Sequence, residues 1–145
     1  MIYLFSLNKK EVNEMEQLIK IGDPQKGYLT VVESHKNLPF EIKRVYFIYS
    51  VPRKEIRGFH AHKKLRQMLI CVHGEINIIL DDGLNKEEFR LSNPNYAVIV
   101  PPGVWRTMEW LKKDSVLLVL ASDYYDESDY IRSYEEFTEF VKKEK

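Results

Sequence analysis

Arg57-Gly58-Phe59-His60-Ala61-His62, followed by Gln67 and Gly74, is the stretch on which the fold turns. Side chains of a β-strand alternate between its two faces, so His60 and His62 look the same way. Two histidines so placed normally supply two ligands of a metal site inside a β-barrel. The remaining ligands are missing here, and that absence limits the chemistry open to the site.

Outward from this stretch the chain reads as strand after strand. The apolar, β-branched and aromatic runs are 2–7, 28–33, 43–50, 58–62, 67–73, 75–81, 87–91, 97–100, 106–110 and 116–122. Turn signals separate many of them: Asp23-Pro24-Gln25-Lys26-Gly27, Asn37-Leu38-Pro39, Asp81-Asp82-Gly83, Asn93-Pro94-Asn95 and Pro101-Pro102-Gly103. Many short strands at this spacing predict an all-β sandwich or barrel. Val12, Met15, Leu18 and Ile19 predict a brief helix over 9–19. Ile131, Tyr134, Phe137, Phe140 and Val141 predict an amphipathic C-terminal helix over 130–145. With 145 residues and no linker, repeat or low-complexity segment, one domain over 1–145 is expected.

Lysine and arginine total 22 and aspartate and glutamate total 22, so the molecule as a whole has no electrostatic reason to seek nucleic acid or an anionic membrane. The balance is local. Residues 36–66 carry nine bases against Glu41 and Glu55, while the tail from Ser122 carries eight acids against four bases. A basic cluster suits a small phosphorylated ligand; charge alone favours the plainer reading, a solvated face. Cys71, the single cysteine, sits in Met68-Leu69-Ile70-Cys71-Val72 and reads as a buried thiol. The apolar runs are too short to span a bilayer. The start, Met1-Ile2-Tyr3-Leu4-Phe5, lacks a basic leader region and a small-residue cleavage site. A cytoplasmic protein is expected.

The spacing resembles the cupin family, a small jelly-roll barrel. The first cupin motif places a His-x-His pair, a Glu five residues on and a Gly seven beyond; here these positions hold His60, His62, Gln67 and Gly74. The second places a Gly, a Pro-x-Gly turn and a His; here they hold Asn95, Pro101-Pro102-Gly103 and Arg106. The barrel framework is present, and two of four ligand positions are replaced. Gln67 supplies no carboxylate, and Arg106 is a cation with no lone pair to donate. A metal-free interior holding two histidines is therefore expected, with no cofactor. Imidazole titrates near neutrality, so His60 and His62 suit a general acid/base pair. The plainer alternative is two hydrogen-bonded core histidines inherited from a metal-binding ancestor.

Longer phrases resemble the sugar nucleotide 3,4-ketoisomerases that act on dTDP-4-keto-6-deoxyglucose. These are Pro39 to Tyr46, Arg57 to Lys64, Val104-Trp105-Arg106, and Leu118 to Arg132, within a likeness running from about Asp23 to Tyr134. Residues 1–22 depart from the family's usual lead-in, and the Pro101-Pro102-Gly103 wording is that of cupins in general. The resemblance implies an enzyme that moves the carbonyl from C4 to C3 through an enediol, with no redox cofactor, in deoxyaminosugar biosynthesis for a surface polysaccharide such as lipopolysaccharide. It places the base on His60 with Tyr46 as hydrogen-bonding partner, and Lys26 near the sugar. His62 is the second candidate for proton transfer. It also implies a homodimer with exchanged N-terminal strands, a role that Ile2 to Phe5 would suit.

The residues themselves suggest the remaining contacts. Arg57, Lys63 and Arg44 are the cations expected at the pyrophosphate, although each also fits a solvated surface. Arg44 and Tyr46 share a strand face. Trp105 is a candidate for stacking on a ring, or a core side chain. Gln67 and Arg106 stand at the former ligand positions, where they should approach the sugar. The competing functions are a sugar nucleotide 3,5-epimerase, which usually pairs its base histidine with an aspartate, and a non-catalytic sugar-nucleotide-binding cupin. A metal-dependent cupin oxygenase is argued against by Gln67 and Arg106.

Overall fold

Strand alternation dictates the packing seen in a computed structural model, which describes residues 15–144. One five-stranded sheet contains β1 (Glu16–Gln17), β4 (Arg44–Ile48), β6 (Gln67–His73), β9 (Tyr96–Val100) and β11 (Val116–Ala121), in the order β1-β9-β6-β11-β4. The second contains β5 (Ile56–His62), β7 (Ile76–Asp81), β8 (Lys86–Leu91), β10 (Trp105–Trp110) and β12 (Tyr130–Ile131), in the order β12-β5-β10-β7-β8. All these pairings are antiparallel. Strands β2 (Ile19–Asp23) and β3 (Gly27–Val31) form a separate hairpin. The architecture is the expected cupin-type jelly roll.

Each sheet has an apolar inner face, and the two faces close on one core. Leu69, Cys71, Val98, Val100, Leu117 and Val119 from the first sheet meet Ile76, Ile78, Leu80, Met108 and Trp110 from the second. Alternation sends Met68, Ile70, Ala97, Ile99 and Leu120 to the far side of the first sheet, where Leu18, Leu38 and Phe40 cover them. The far side of the second sheet carries Ala61, Trp105 and Ile131 under Phe137 of the C-terminal helix. Between β6 and β7, Gly74 has φ +86°, and a Cβ there would stand 2.1 Å from Ser115 Oγ. The motif glycine is thus required both by conformation and by space.

Two expectations change. Residues 15–19 are not helical: Glu16 and Gln17 pair with Ala97 and Tyr96, and Ile19 opens the hairpin. Leu18 is buried as a strand-side residue, so its spacing from Met15 marked a core contact rather than a helix face. The rest of that segment and the strand expected over 2–7 lie outside the described residues. The C-terminal helix, α1, spans Tyr134–Lys143 and starts later than expected, because the Ser133 hydroxyl caps it by accepting from the Glu136 amide. Tyr130 and Ile131 instead pair with His62 and Ala61 as β12. Glu135 and Glu136 in its first turn and Lys142 and Lys143 in its last complement the helix dipole.

Candidate functional site

The histidine strand carries a bulge. Gly58 and Phe59 both have positive φ, +101° and +52°, and the β5–β10 register shifts between Arg106 and Thr107. A Cβ at Gly58 would lie 2.8 Å from the Arg106 carbonyl oxygen, so the bulge needs glycine there. Beyond the bulge His60 stands opposite Arg106, and His62 follows on the same inward face. The two imidazoles meet edge to face at 5.0 Å between centroids.

Hydrogen bonding sets both tautomers. His60 Nδ1 lies 2.9 Å from the Gly58 carbonyl oxygen, which can only accept, so Nδ1 carries the proton and Nε2 holds a lone pair. His62 Nδ1 lies 3.1 Å from Asp129 Oδ2, and His62 Nε2 is buried with no hydrogen-bond partner among the described residues. Burial is the main cause that lowers both rings; the Arg106 charge adds to it. His60 falls from 6.5 to about 4 and His62 to about 2, so both are neutral at pH 7.

Arg106 occupies the interior as a cation 1% exposed. Burial lowers its guanidinium to about 10, which leaves it charged at neutral pH. Among the described residues no carboxylate lies within ion-pairing distance of it. Its Nη1 donates to Gln67 Oε1, its Nη2 to the Val104 carbonyl oxygen at 3.2 Å, and its Nε has no partner among the described residues. Because Gln67 Oε1 accepts from Arg106, the other end of that amide must donate, and Nε2 does so to Tyr46 Oη at 2.9 Å. The Tyr46 hydroxyl proton is thereby left for another acceptor. Burial raises the Tyr46 phenol above its ordinary value. Arg44 stacks over Tyr46 at 5.2 Å, so the expected shared face is realised.

Four residues with no role expected from the sequence complete the wall. Strand β12 sets Tyr130 opposite His62, and its ring lies 4.3 Å from His62 and 5.0 Å from His60 between centroids. Arg132 lies 4.2 Å over the Tyr130 ring and donates to Glu127 at 2.6 and 2.9 Å. Asp129 accepts from His62 and from the Lys64 and Leu65 amides. The acidic run 123–129 was visible as charge; that it folds back across the histidines depends on β12 pairing with β5.

The remaining candidates are dispersed. Trp105 does not face the histidines: it is 9% exposed beneath α1, 5.3 Å from Tyr134 and 5.7 Å from Phe137 between centroids. Alternation forces this, since Arg106 beside it points inward. Arg57 pairs with Met108 across the bulge and lies exposed in a second cleft with Phe47, Tyr49 and Glu55. Lys63 is exposed beyond the end of β5. Lys26 is at the tip of the β2–β3 hairpin, where its amide donates to Asp23 Oδ1. Among the described residues no three His, Cys, Asp or Glu side chains gather as a metal-binding group. Nor is any described helix long and apolar enough to cross a membrane.

A cupin-type barrel whose ligand positions hold two histidines, an amide and a buried guanidinium defines the class. The chain belongs to the family described as FdtA, WxcM-like, C-terminal, whose model matches residues 11–142. It is 47% identical over 131 residues to TDP-4-oxo-6-deoxy-alpha-D-glucose-3,4-oxoisomerase of Aneurinibacillus thermoaerophilus, covering 90% of this chain and 94% of that one. It is 41% identical to the sugar 3,4-ketoisomerase QdtA of Thermoanaerobacterium thermosaccharolyticum, solved with TDP, with a TM-score of 0.86 over 90% of this chain and 95% of that one. A histidine mutant of QdtA was solved with TDP-4-keto-6-deoxyglucose, with a TM-score of 0.85, 41% identity and coverage of 90% and 94%. The TDP-quinovose 3,4-ketoisomerase WlaRB of Campylobacter jejuni gives 0.82 at 43% identity, covering 87% and 96%.

Proposed function

We propose that the chain is a TDP-sugar 3,4-ketoisomerase that converts TDP-4-keto-6-deoxyglucose to the 3-keto sugar without metal or redox cofactor. The observation that carries the reading is a buried, unpaired Arg106 cation beside two neutral imidazoles. An unpaired buried charge is costly, and it is well placed where negative charge develops during reaction.

The C4 carbonyl acidifies the proton on C3. His60, with its lone pair on Nε2, removes that proton; the C–H electron pair becomes the C3=C4 bond and the carbonyl pair moves to O4. Arg106 stabilises the resulting enediolate, and the Tyr46 hydroxyl donates to O4. Return of a proton from His60 to C4, with loss of the O3 proton, leaves the ketone at C3. Of the cations expected at the pyrophosphate, Arg44, which stacks over Tyr46, stands nearest the histidines; Arg57, Lys63 and Lys26 remain candidates for the nucleotide and sugar on the family likeness alone, since they stand apart from the histidines. The histidine–aspartate pair typical of 3,5-epimerases is not found on His60, whose Nδ1 bonds a backbone carbonyl.

A homodimer belongs to this reading. The β2–β3 hairpin exposes Ile19, Ile21, Tyr28 and Leu29, and the edge strand β4 exposes Val45 and Phe47, with Tyr49 just beyond its end. Such surface favours association, with the N-terminal strands exchanged. The 3-keto product carries the electrophile that an amine-transferring step consumes, which fits deoxyaminosugar synthesis for a surface polysaccharide in the cytoplasm. The test is to incubate chelator-treated, metal-analysed protein with TDP-4-keto-6-deoxyglucose and follow the sugar by NMR. Formation of the 3-keto sugar at the rate of the untreated protein is expected. Activity lost with a stoichiometric metal and restored by its return would refute the metal-free mechanism.

A further inference from the structure

Among the described residues the imidazoles of His60 and His62 make one hydrogen bond each, His60 Nδ1 to the Gly58 carbonyl oxygen and His62 Nδ1 to Asp129. One bond leaves a ring free to rock about it, so packing has to set the two ring planes. Each ring packs against the other and against Tyr130, whose centroid stands 5.0 Å from His60 and 4.3 Å from His62. Tyr130 itself rides on β12, a strand of only two residues. Something beyond that short pairing has to hold it.

Arg132 is placed to do so. Its guanidinium lies 4.2 Å over the Tyr130 ring. Its Nε and Nη2 donate to the two oxygens of Glu127 as a fork, at 2.6 and 2.9 Å. Glu127 Oε2 also accepts from the Tyr125 hydroxyl at 2.5 Å, and the Tyr125 ring returns to Tyr130 at 5.8 Å between centroids. Asp126 fixes the turn that presents Glu127, accepting from the Ser128 amide and hydroxyl at 3.0 and 2.7 Å. Resting on the ketoisomerase reading, we propose that Glu127 and Arg132 are positioning residues: their ion pair clamps Tyr130, and Tyr130 sets the ring planes of His60 and His62 for the reaction.

Folding stability does not explain the pair. Both side chains are 55% exposed, and an ion pair in water adds little to stability. Orientation does explain it, because a misplacement of about 1 Å at reacting groups costs about a hundredfold in rate. The fork matters here more than the charge. An ammonium would meet Glu127 as a point, whereas the planar guanidinium is locked against both the carboxylate and the ring. Hydrogen bonds from Arg132 and Tyr125 hold the Glu127 carboxyl down to about 2, so the clamp stays charged across the working pH range.

Glu127→Ala and Arg132→Lys test this; the second keeps a cation and loses the fork. Without substrate, the carbon-bound ring protons of His60 and His62 should shift in the NMR spectrum of each variant, as the Tyr130 ring moves over them. With TDP-4-keto-6-deoxyglucose, kcat should fall about tenfold to a hundredfold, while KM and the melting temperature stay near the parent values. Because Glu127 acts through Arg132, the double variant should lose no more than the worse single variant. Unmoved histidine protons, kcat at the parent rate, activity lost only in step with the melting temperature, or losses that multiply in the double variant would overturn the proposal. So would a raised KM with kcat kept, which would make Arg132 an anion contact instead. No 3-keto product from the parent chain would sink the ketoisomerase reading itself, and the ring protons would still decide the clamp.

Discussion

Arg106→Met removes the buried guanidinium while keeping much of its length in an apolar side chain. Two effects follow from the site. The first is on charge development: among the described residues Arg106 forms no ion pair, so its charge is available to an enediolate. Losing one such preorganised group costs about 10²–10³ in kcat. The second is on His60. Burial is the larger cause of its fall from 6.5 to about 4, and the Arg106 charge is the next. The parent kcat/KM should therefore stay nearly flat down to about pH 5 and halve near pH 4. At pH 5.5 an unperturbed imidazole would be about one-tenth neutral, and the parent His60 almost wholly so, a roughly tenfold difference. In Arg106→Met the acid limb should move up, toward but not to 6.5, because burial persists. The assay is conversion of TDP-4-keto-6-deoxyglucose by NMR from pH 4 to 8, with melting curves to confirm folding. A parent limb at 6.5, or an Arg106→Met limb unmoved at about 4, would refute the reasoning.

His60→Asn should bind TDP nearly as the parent does and lose turnover by roughly a hundredfold or more, with C3 exchange lost in parallel; exchange at the parent rate would reassign the base. Because His60 and His62 are lowered in the fold, the unfolded chain binds more protons below pH 6.5. Stability should be full above that pH and fall as pH drops toward 4. His60 alone contributes on the order of 3 kcal/mol to that fall, and urea melts at pH 7 and 4.5 check it. Trp105→Ala should destabilise by about 3–5 kcal/mol, the helix packing being lost, while KM stays near the parent value; a large rise in KM with an intact fold would return Trp105 to the binding site. Phe47→Lys should shift light-scattering mass from dimer toward monomer, and a parent that is monomeric at micromolar concentration would refute the homodimer.

Local periodicity carried much of this molecule. Alternation alone puts His60 and His62 on one face, Arg44 and Tyr46 on one face, and Gln67 in line with Leu69 and Cys71 of the core. The same rule, applied strictly, would have excluded Trp105 from a site that contains Arg106, since neighbours on a strand cannot both look inward. Capping chemistry was equally legible: Ser133, followed three residues later by Glu136, marks the true start of the helix.

What the chain could not announce locally, tertiary contacts decided. The Gly58–Phe59 bulge resets the face of every residue before it, so Arg57 falls on the face of His60 by register rather than by counting. Pairing of Tyr130 and Ile131 with β5 draws Asp129, Tyr130 and Arg132 onto the histidines across more than sixty residues of sequence. The tautomers, the depressed imidazoles and the unpaired Arg106 charge depend on which atoms exclude water and which accept a proton. Those are properties of a closed barrel, because desolvation and hydrogen bonding act between residues that only folding brings together.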